Sequence, residues 1–294
     1  DVLEYDRLIL APGITFNPVE GHDLNKVPHA WQSGEQVTML QQHLEVMPAG
    51  GTFVMSIPPK PYRCPPGPYE RACVVADYLK KNNPGSKVIV LDGNEDILVE
   101  KEIFGHAFDV TYAGIVEYHT EVVITGVDSD ELIVSTESMA DIKADVLNII
   151  PEQSAGAIIK SAGLINVSDR WAGVNPLSYE STAVNNIHVI GDSQGTGQPK
   201  AGHIANAEAK VCADAVIRLL NNGLPYEAPM TNSACYSPVS ADTATWLTAV
   251  YSYDSATESM QKVAGSGGSA PEASKNNYEE MFVWSNSLFG DVFS

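Results

Sequence analysis

The stretch GTFVMSIPPKPYRCPPGPYERACVVADYLKKNNPGSKVIVLDGN, residues 51–94, decides the fold. It opens with the apolar run GTFVMSI and closes with a second apolar run, KVIVLDGN. Between them, Ala72, Val75, Ala76 and Leu79 recur at the spacing of one helix face, and NNPG ends the helix. Two buried strands joined by a helix form the β-loop-α-β unit of a doubly wound sheet.

The loop between the first strand and the helix is unusual, because residues 58–73 contain six prolines and two cysteines. In nucleotide-binding proteins this position carries glycines, so that backbone amides can approach a pyrophosphate. Proline lacks the amide hydrogen, fixes φ, and blocks close approach with its ring. We therefore predict that the loop binds no NAD and instead holds one side chain rigidly, with Cys64 as the candidate.

Composition narrows the class of protein. The chain has 294 residues, enough for two domains or one large one, and a formal net charge of −20. Such an acidic chain is unsuited to nucleic acid or to an anionic membrane surface, and no apolar run is long enough for membrane insertion. The four cysteines form no CxxC pair and the histidines have no ligand spacing, so we expect no metal site and no haem on this chain.

Outside the opening stretch, further apolar runs indicate more strands and helices. The segments 5–13, 144–153 and 186–192 are typical of buried parallel strands, whereas three runs in residues 112–137 alternate like a meander. Helices are predicted over 34–48 and 202–222. After residue 226 the composition changes, and we expect more strands, a flexible loop at 264–274 and an aromatic tail that could be helical.

Two motifs indicate a flavin site. YDRLILAPG, residues 5–13, resembles the segment in which two-dinucleotide-binding-domain flavoproteins return to their FAD domain, and NIHVIGD ends a strand in Gly191 and Asp192. An aspartate at the carboxyl end of a parallel strand faces the ligand crevice and can accept a hydrogen bond from a ribityl or ribose hydroxyl. The alternative is that Gly-Asp only makes a turn. No GxGxxG follows a strand in this chain, so we expect the ADP-binding unit to lie before residue 1 and this chain alone to bind FAD weakly.

Five segments together carry a family resemblance: PHAW (28–31), RCPPGPYERA (63–72), NIHVIGD (186–192), PKAGHIANAEAK (199–210) and CYSP (235–238). They are similar to the flavoprotein subunit of flavocytochrome c sulfide dehydrogenase, along essentially the whole chain. The resemblance implies an α/β, Rossmann-like flavoprotein of the two-dinucleotide-binding-domain type, lacking the N-terminal ADP-binding unit and ending in a small α+β domain. It implies FAD as the cofactor.

The resemblance also implies the site residues. A redox-active disulfide would join Cys64 to Cys235, Glu70 would act as acid or base beside it, and Trp284 would pack by the flavin ring. The matching cofactor-binding positions are Ala11, Pro12, Gly13, Gly191, Asp192, Lys200 and Gly202. For the disulfide the alternative is a purely structural bridge, and for Glu70 it is a favourable charge at a helix start.

The domain and function expectations follow from the same resemblance. Residues 1–17 and 151–225 would be the remainder of the FAD domain, 18–150 an NAD-domain-like unit without a pyrophosphate loop, and 226–294 the C-terminal flavin-binding domain. The protein would oxidise sulfide in the periplasm and pass electrons to a c-type cytochrome subunit that carries the haem. The rivals are a sulfide:quinone oxidoreductase-like flavoprotein and an inactive fragment with a structural disulfide.

Overall fold

The computed structural model of the protein describes residues 3–293. Its helices include those predicted in 34–48, after the proline loop and in 202–222, and two short ones that were not predicted. There is also a π-helical turn at Ala107–Thr111 and a 3-10 turn at Gly191–Ser193. In chain order they are α1 (Glu35–Glu45), α2 (Gly67–Asn82), α3 (Lys101–His106), α4 (Ala157–Ser161), α5 (Gly202–Leu220) and α6 (Lys275–Val292).

The strands are short and numerous. In chain order they are β1 (Leu8–Leu10), β2 (Ile14–Phe16), β3 (Thr52–Ile57), β4 (Lys87–Asp92), β5 (Val116–His119), β6 (Ile124–Asp128), β7 (Ile133–Thr136), β8 (Ile142–Lys143), β9 (Val146–Asn148), β10 (Gln153–Ala155), β11 (Ile165–Val167), β12 (Trp171–Ala172), β13 (Val174–Asn175), β14 (Glu180–Ser181), β15 (Ile187–Val189), β16 (Met230–Pro238), β17 (Ala244–Asp254), β18 (Ser259–Lys262) and β19 (Gly268–Ser269).

The opening stretch forms the predicted β-loop-α-β unit. Strands β3 and β4 pair in parallel over six residues each, and the sheet order is β5-β4-β3-β9. All four strands are parallel. The meander prediction was therefore wrong for β5, which pairs in parallel with β4, and right for β6 and β7, which pair antiparallel. The cause is that β5 is an edge strand of intermediate burial, so its sequence alternates as a hairpin strand does.

Helix α2 covers this sheet with its apolar face. Ala72, Ala76 and Leu79 are buried as the spacing predicted, and Tyr69 joins them. The helix begins at Gly67, before the predicted start, because Pro68 lies in its first turn, where the missing amide hydrogen costs nothing. The prolines therefore lead directly into the helix.

A second sheet joins distant parts of the chain. Strand β1 pairs in parallel with β15, and β15, β14 and β13 continue antiparallel in the order β1-β15-β14-β13. Nearby, β2 pairs antiparallel with β10. Residues of β1 and β2 thus share a small core with residues from the 155–189 region, including Ile14, Ile159 and Val189.

The C-terminal unit is an antiparallel sheet in the order β16-β17-β18, against which α6 packs. Strands β16 and β17 pair without interruption from Met230 with Ser252 to Pro238 with Ala244. The loop predicted at 264–274 contains β19, which pairs with β17 and closes this part of the sheet. The predicted helix in the tail is present as α6.

The division into 1–17 with 151–225, 18–150, and 226–294 stays a prediction, and the strand pairings are compatible with it. No helix in residues 3–293 combines the length and apolarity that crossing a membrane requires.

The parallel sheet should respond strongly to truncation of its core. Phe53 is completely buried in β3, between β4 and β9. We expect Phe53→Ala to lower the free energy of unfolding by about 3–5 kcal/mol, the usual cost of deleting a buried aromatic ring. Phe289→Ala, on the exposed face of α6, is the control and should change it by less than about 0.5 kcal/mol. Urea unfolding of the two variants checks this, and equal losses would contradict the assigned core.

Candidate active site at the proline loop

The proline loop is fixed by hydrogen bonds to other parts of the chain. The Cys64 amide donates to the Lys200 carbonyl over 2.7 Å. The Arg63 amide donates to Oε1 of Gln153 over 2.7 Å, and the Trp31 indole nitrogen donates to the Arg63 carbonyl over 3.2 Å. The loop therefore bridges the parallel sheet and the β1-β15 sheet, as a stiff support would.

Cys64 is held in a conformation that few residues other than glycine adopt. Its φ is +58°, in the left-handed region, which costs about 1–2 kcal/mol for a residue with a Cβ. Its sulfur lies close to Gly67, where an added Cβ would come within 2.9 Å of Sγ and 2.8 Å of the Trp31 ring. Burial raises the pKa of the Cys64 thiol, and the Glu70 and Cys235 charges raise it further. The loop thus places a half-buried sulfur at a fixed position.

Cys235 approaches the same position from the C-terminal sheet. It lies in the middle of β16, opposite Leu247. Burial raises the pKa of its thiol to about 11, and the Glu100 and Glu70 carboxylates contribute to the shift. Both Cys64 and Cys235 are free, partly exposed thiols, while Cys73 and Cys212 are buried in helices. The two predicted partners therefore lie close enough to influence each other, and the bond between them stays a prediction.

Glu70 lies in the first turn of α2, beside the thiol of Cys64. Burial raises the pKa of Glu70 to about 8, although the Arg71 cation and the Ser237 hydroxyl act in the opposite direction. Arg71 is itself held by the carbonyls of His29 and Ala30. A carboxyl group whose pKa lies near neutrality is suited to proton transfer. The placement therefore agrees with an acid or base beside the sulfur.

A cavity of about 720 Å³ leads to these groups. It lies between α1 and α2, and Cys64 and Glu70 are among the residues that line it. The large apolar side chains in its lining are Trp31, Val37, Leu40, Leu44, Val74, Val75 and Tyr78, and polar groups such as Gln41, Glu45, Arg63 and Arg71 also line it. Val37 of α1 is 46% exposed and lines this cavity.

The predicted cofactor residues before β2 and after β15 lie together. Ala11, Pro12 and Gly13 form the turn after β1, and the Ser193 hydroxyl donates to the Gly13 carbonyl. Gly13 has φ +72°, and a Cβ there would come within 2.8 Å of the Arg63 guanidinium. Parallel pairing of β1 and β15 explains this, because it brings both carboxyl ends to one edge.

Gly191 and Asp192 occupy the next turn along that edge. Gly191 has φ +71°, and its amide donates to the buried Glu208 carboxylate over 2.7 Å. Oδ2 of Asp192 accepts a hydrogen bond from Nε of Arg63 over 2.6 Å. The aspartate is therefore more than a turn residue, since it connects this edge to the proline loop.

Lys200 and Gly202 prepare the start of α5. The Lys200 ammonium donates to the carbonyls of Asp192 and Gln194 and lies 3.6 Å from the centre of the Trp171 ring. Burial lowers its pKa to about 8. This side chain is held by the loop, and its contact with a cofactor stays a prediction. A Cβ on Gly202 would meet no atom within 4 Å, which leaves the helix start open.

Trp284 reaches the same region from α6. Its ring centre lies 5.6 Å from that of Tyr236 and 6.3 Å from that of His203, the neighbours of Cys235 and Gly202 in the chain. The Trp284 indole nitrogen is buried and has no hydrogen-bond partner among the described residues. The predicted site residues thus come from five segments of the chain, and contacts of these residues or their sequence neighbours link the segments to one another.

These residues fit the isoalloxazine part of FAD. The open start of α5 offers amide donors to an electron-rich ligand edge, and the buried indole N–H of Trp284 has donor capacity to spare. Gly13 and Gly191 keep the backbone free of side chains at the neighbouring turns. Residues 3–293 provide no group of three or more His, Cys, Asp or Glu side chains that could hold a metal ion.

Several residues of this site were missed from the sequence. Arg63 directly precedes Cys64 in RCPPGPYERA, and Trp31 is the last residue of PHAW. Both segments carry the family resemblance, so the sequence did contain a signal for these two residues. Glu100 precedes α3 in a segment without a motif, and only the tertiary structure brings it toward Cys235. Glu208 lies inside an amphipathic helix, where a buried acid has no distinctive pattern.

The fold is shared with solved flavoprotein structures. The sulfide:quinone oxidoreductase of the hyperthermophilic bacterium Aquifex aeolicus has a TM-score of 0.74 at 16% identity, over 97% of this chain and 68% of that one. The NAD-dependent persulfide reductase of A. fulgidus has a TM-score of 0.56 at 15% identity, over 99% and 58%. Reduced CoADR-RHD of Bacillus anthracis has a TM-score of 0.51 at 14% identity, over 98% and 56%. The chain therefore has the two-dinucleotide-binding-domain flavoprotein fold and spans about two thirds or less of these proteins.

Two family models match the sequence itself. The central region of the sulfide dehydrogenase (flavocytochrome c) flavoprotein chain matches residues 37–151, and the flavin-binding region of flavocytochrome c sulfide dehydrogenase matches residues 227–293. Together they cover more than half of the chain and contain the proline loop, Glu70 and Cys235. The chain therefore belongs to the family of the flavoprotein chain of flavocytochrome c sulfide dehydrogenase, whose cofactor is FAD.

Proposed function

We propose that the protein oxidises sulfide through a redox-active Cys64–Cys235 disulfide and FAD, and passes the electrons to a c-type cytochrome. The observation that carries this proposal is the convergence of Cys64, Glu70 and Cys235 on one point. They come from the proline loop, α2 and β16, and Cys235 is far from the other two in the sequence. A structural bridge needs no carboxyl group with a pKa of about 8 beside it.

Cys64 is the sulfur that we propose hydrosulfide attacks. Cys64 and Glu70 line the cavity and Cys235 does not, so a small ligand in it meets the sulfur of Cys64. Cys235 is then the leaving sulfur, which agrees with its thiol pKa of about 11 and the larger increase at Cys64, because the thiol of lower pKa leaves faster. The result is a persulfide on Cys64.

Glu70 is the proposed base for the incoming sulfide. Its carboxylate takes a proton from H₂S in the cavity and so produces hydrosulfide beside the disulfide. The Arg71 cation next to it stabilises the ionised form, although burial has the larger effect on its pKa.

We place the flavin at the edge formed by the carboxyl ends of β1 and β15. Gly13, Asp192, the start of α5 at Gly202, and Trp284 would surround the isoalloxazine, with Lys200 positioning the loop. When bound, FAD would accept two electrons from the pair formed by the Cys64 persulfide and the Cys235 sulfur, and would release them one at a time.

The electron acceptor is proposed from the family, which is the flavoprotein chain of a flavocytochrome. A net charge of −20 would steer a basic partner protein toward this chain. We place the complex in the periplasm, where a disulfide can persist. A quinone is the second candidate acceptor, and the exposed aromatic residues of α6, among them Phe282 and Phe289, are the observation that favours it.

The first test removes the attacked sulfur. Cys64→Ser should abolish sulfide-dependent reduction of the bound flavin, because no disulfide can form, while the flavin content of the purified protein stays unchanged. Cys212→Ala removes a thiol inside α5 and is the control. Flavin absorbance after sulfide addition measures the first step. Comparing the rates at which cytochrome c and a soluble quinone are reduced identifies the acceptor. Sulfide oxidation that survives in Cys64→Ser would refute the role of the disulfide.

The second test concerns the pH dependence of Glu70. If its carboxylate is the base, the rate of flavin reduction should rise with pH through an inflection near 8. Glu70→Gln should remove this inflection and leave only the ionisation of the substrate. Glu35→Gln, an exposed residue of α1, is the control. An unchanged profile in Glu70→Gln would mean that this carboxyl group only favours the start of its helix.

A further inference from the structure

One face of the C-terminal sheet gathers the side chains around Cys235. Residues 235 and 237 of β16 point to the same side, because side chains alternate along a strand. Thr245 is paired with Ser237 in the antiparallel register and therefore shares this face. Ser237 and Thr245 are completely buried, so the face is covered.

Glu100 covers this face from the parallel-sheet unit. Its Oε1 accepts a hydrogen bond from the Thr245 hydroxyl over 2.6 Å. Its Oε2 is buried and has no hydrogen-bond partner among the described residues, and no cation of residues 3–293 forms an ion pair with it. A buried carboxyl oxygen without a partner is costly when charged. The unsatisfied oxygen therefore needs a proton or a donor.

The backbone at Glu100 is also unusual. Its φ is +51°, in the left-handed region, at the residue that precedes α3. A non-glycine residue in this region costs about 1–3 kcal/mol and is retained where the surroundings fix it. The strain directs the carboxyl group inward, away from the exposed Glu102 of the next turn.

The charges that face Glu100 and Cys235 are few. Burial raises the pKa of Glu100 to about 7, and the Thr245 hydrogen bond lowers it. The Glu100 charge raises the pKa of both Cys235 and Glu70. From β17, the Tyr251 hydroxyl also faces Cys235. Cys64 faces Cys235 and Glu70, and the Arg71 cation faces Glu70 and Cys64.

We propose that Glu100 is the proton donor to Cys235 when the Cys64–Cys235 bond is cleaved, a role that rests on the proposed disulfide chemistry. Glu70 serves the opposite sulfur, because it lines the cavity together with Cys64 and has Arg71 as a neighbour. Glu70 faces both sulfurs, whereas Glu100 faces Cys235 and not Cys64.

The step is balanced without a further reactant. Hydrosulfide attacks Sγ of Cys64, the S–S bond breaks, and a new S–S bond forms in the Cys64 persulfide. The sulfide sulfur is oxidised by two electrons, and the disulfide is reduced by the same two. The proton leaves the Glu100 carboxyl group and bonds to Sγ of Cys235, which leaves Glu100 as the carboxylate.

The test measures cleavage of the disulfide in the full chain, without flavin and without sulfide. The oxidised protein is treated with a phosphine between pH 6 and 9, and the free Cys235 thiol is quantified by alkylation and mass spectrometry. Rates are divided by those of a small aliphatic disulfide at the same pH. The wild-type ratio should fall above pH 7, where Glu100 loses its proton, and Glu100→Gln should be at least tenfold slower at pH 6 and independent of pH.

Matched variants separate donation of a proton from a structural role. Glu102→Gln removes the exposed carboxyl group of the same segment and should behave as the wild type. Thr245→Val removes the hydrogen bond that favours the carboxylate, so the fall in rate should move to higher pH. A second measurement, alkylation of the reduced chain at pH 8.5, should be about tenfold faster at Cys235 in Glu100→Gln, since loss of the negative charge lowers the thiol pKa.

The outcomes distinguish this inference from the proposed function. A pH profile of Glu100→Gln that matches the wild type overturns the role of Glu100. A bond that cannot be formed under a mild oxidant overturns both proposals. Phosphine cleavage that depends on Glu100, in a protein whose disulfide sulfide does not cleave, supports the role of Glu100 and refutes sulfide as the substrate.

Discussion

The structure depends on the hydrogen bond from the Cys64 amide to the Lys200 carbonyl. This bond, 2.7 Å long, joins the loop after β3 to the loop before α5. The Arg63–Asp192 ion pair, at 2.6 Å, joins the same two loops through their side chains. Backbone and side chains together therefore fix the sulfur of one unit against the predicted flavin edge of the other. Prolines suit this loop, because they leave only a few backbone N–H groups. Hydrogen bonds from those few groups are enough to hold the loop in place.

Burial is the dominant electrostatic effect in this site. It is the largest cause of the pKa shifts of Glu70, Glu100, Lys200 and both active thiols, and neighbouring charges only modify it. Burial raises the pKa of the carboxyl groups and lowers the pKa of the lysine, in both cases toward pH 7, because it disfavours whichever form is charged. The same desolvation that makes these groups costly to bury thus gives them pKa values suited to proton transfer near neutral pH.

The sequence predicted the parts of this arrangement that depend on local pattern. Helical spacing located α2 and α5, and apolar runs located β3, β4 and β15, while the family resemblance supplied Cys64, Glu70 and Cys235 as candidates. It failed for β5, because a half-exposed parallel edge strand has the alternation of a hairpin. It also missed Glu100, because its importance depends on the register of β16 with β17, which no local pattern specifies. The domain boundaries and the roles of the site residues stay predictions.

The end of β4 carries an acidic residue whose hydrogen bonds hold the surrounding elements together. In dinucleotide-binding units an acidic residue at a neighbouring strand end holds the ribose hydroxyls. Asp92 occupies such a strand end but is completely buried, and it accepts hydrogen bonds from the hydroxyls of Tyr69 and Tyr118 and from the backbone and side chain of Asn94. Tyr69 belongs to α2, directly after the proline loop, and Tyr118 belongs to β5. A ribose would have to displace both hydroxyls and separate the helix from the edge strand. The acid that could have bound a nucleotide therefore holds together the elements that position Cys64.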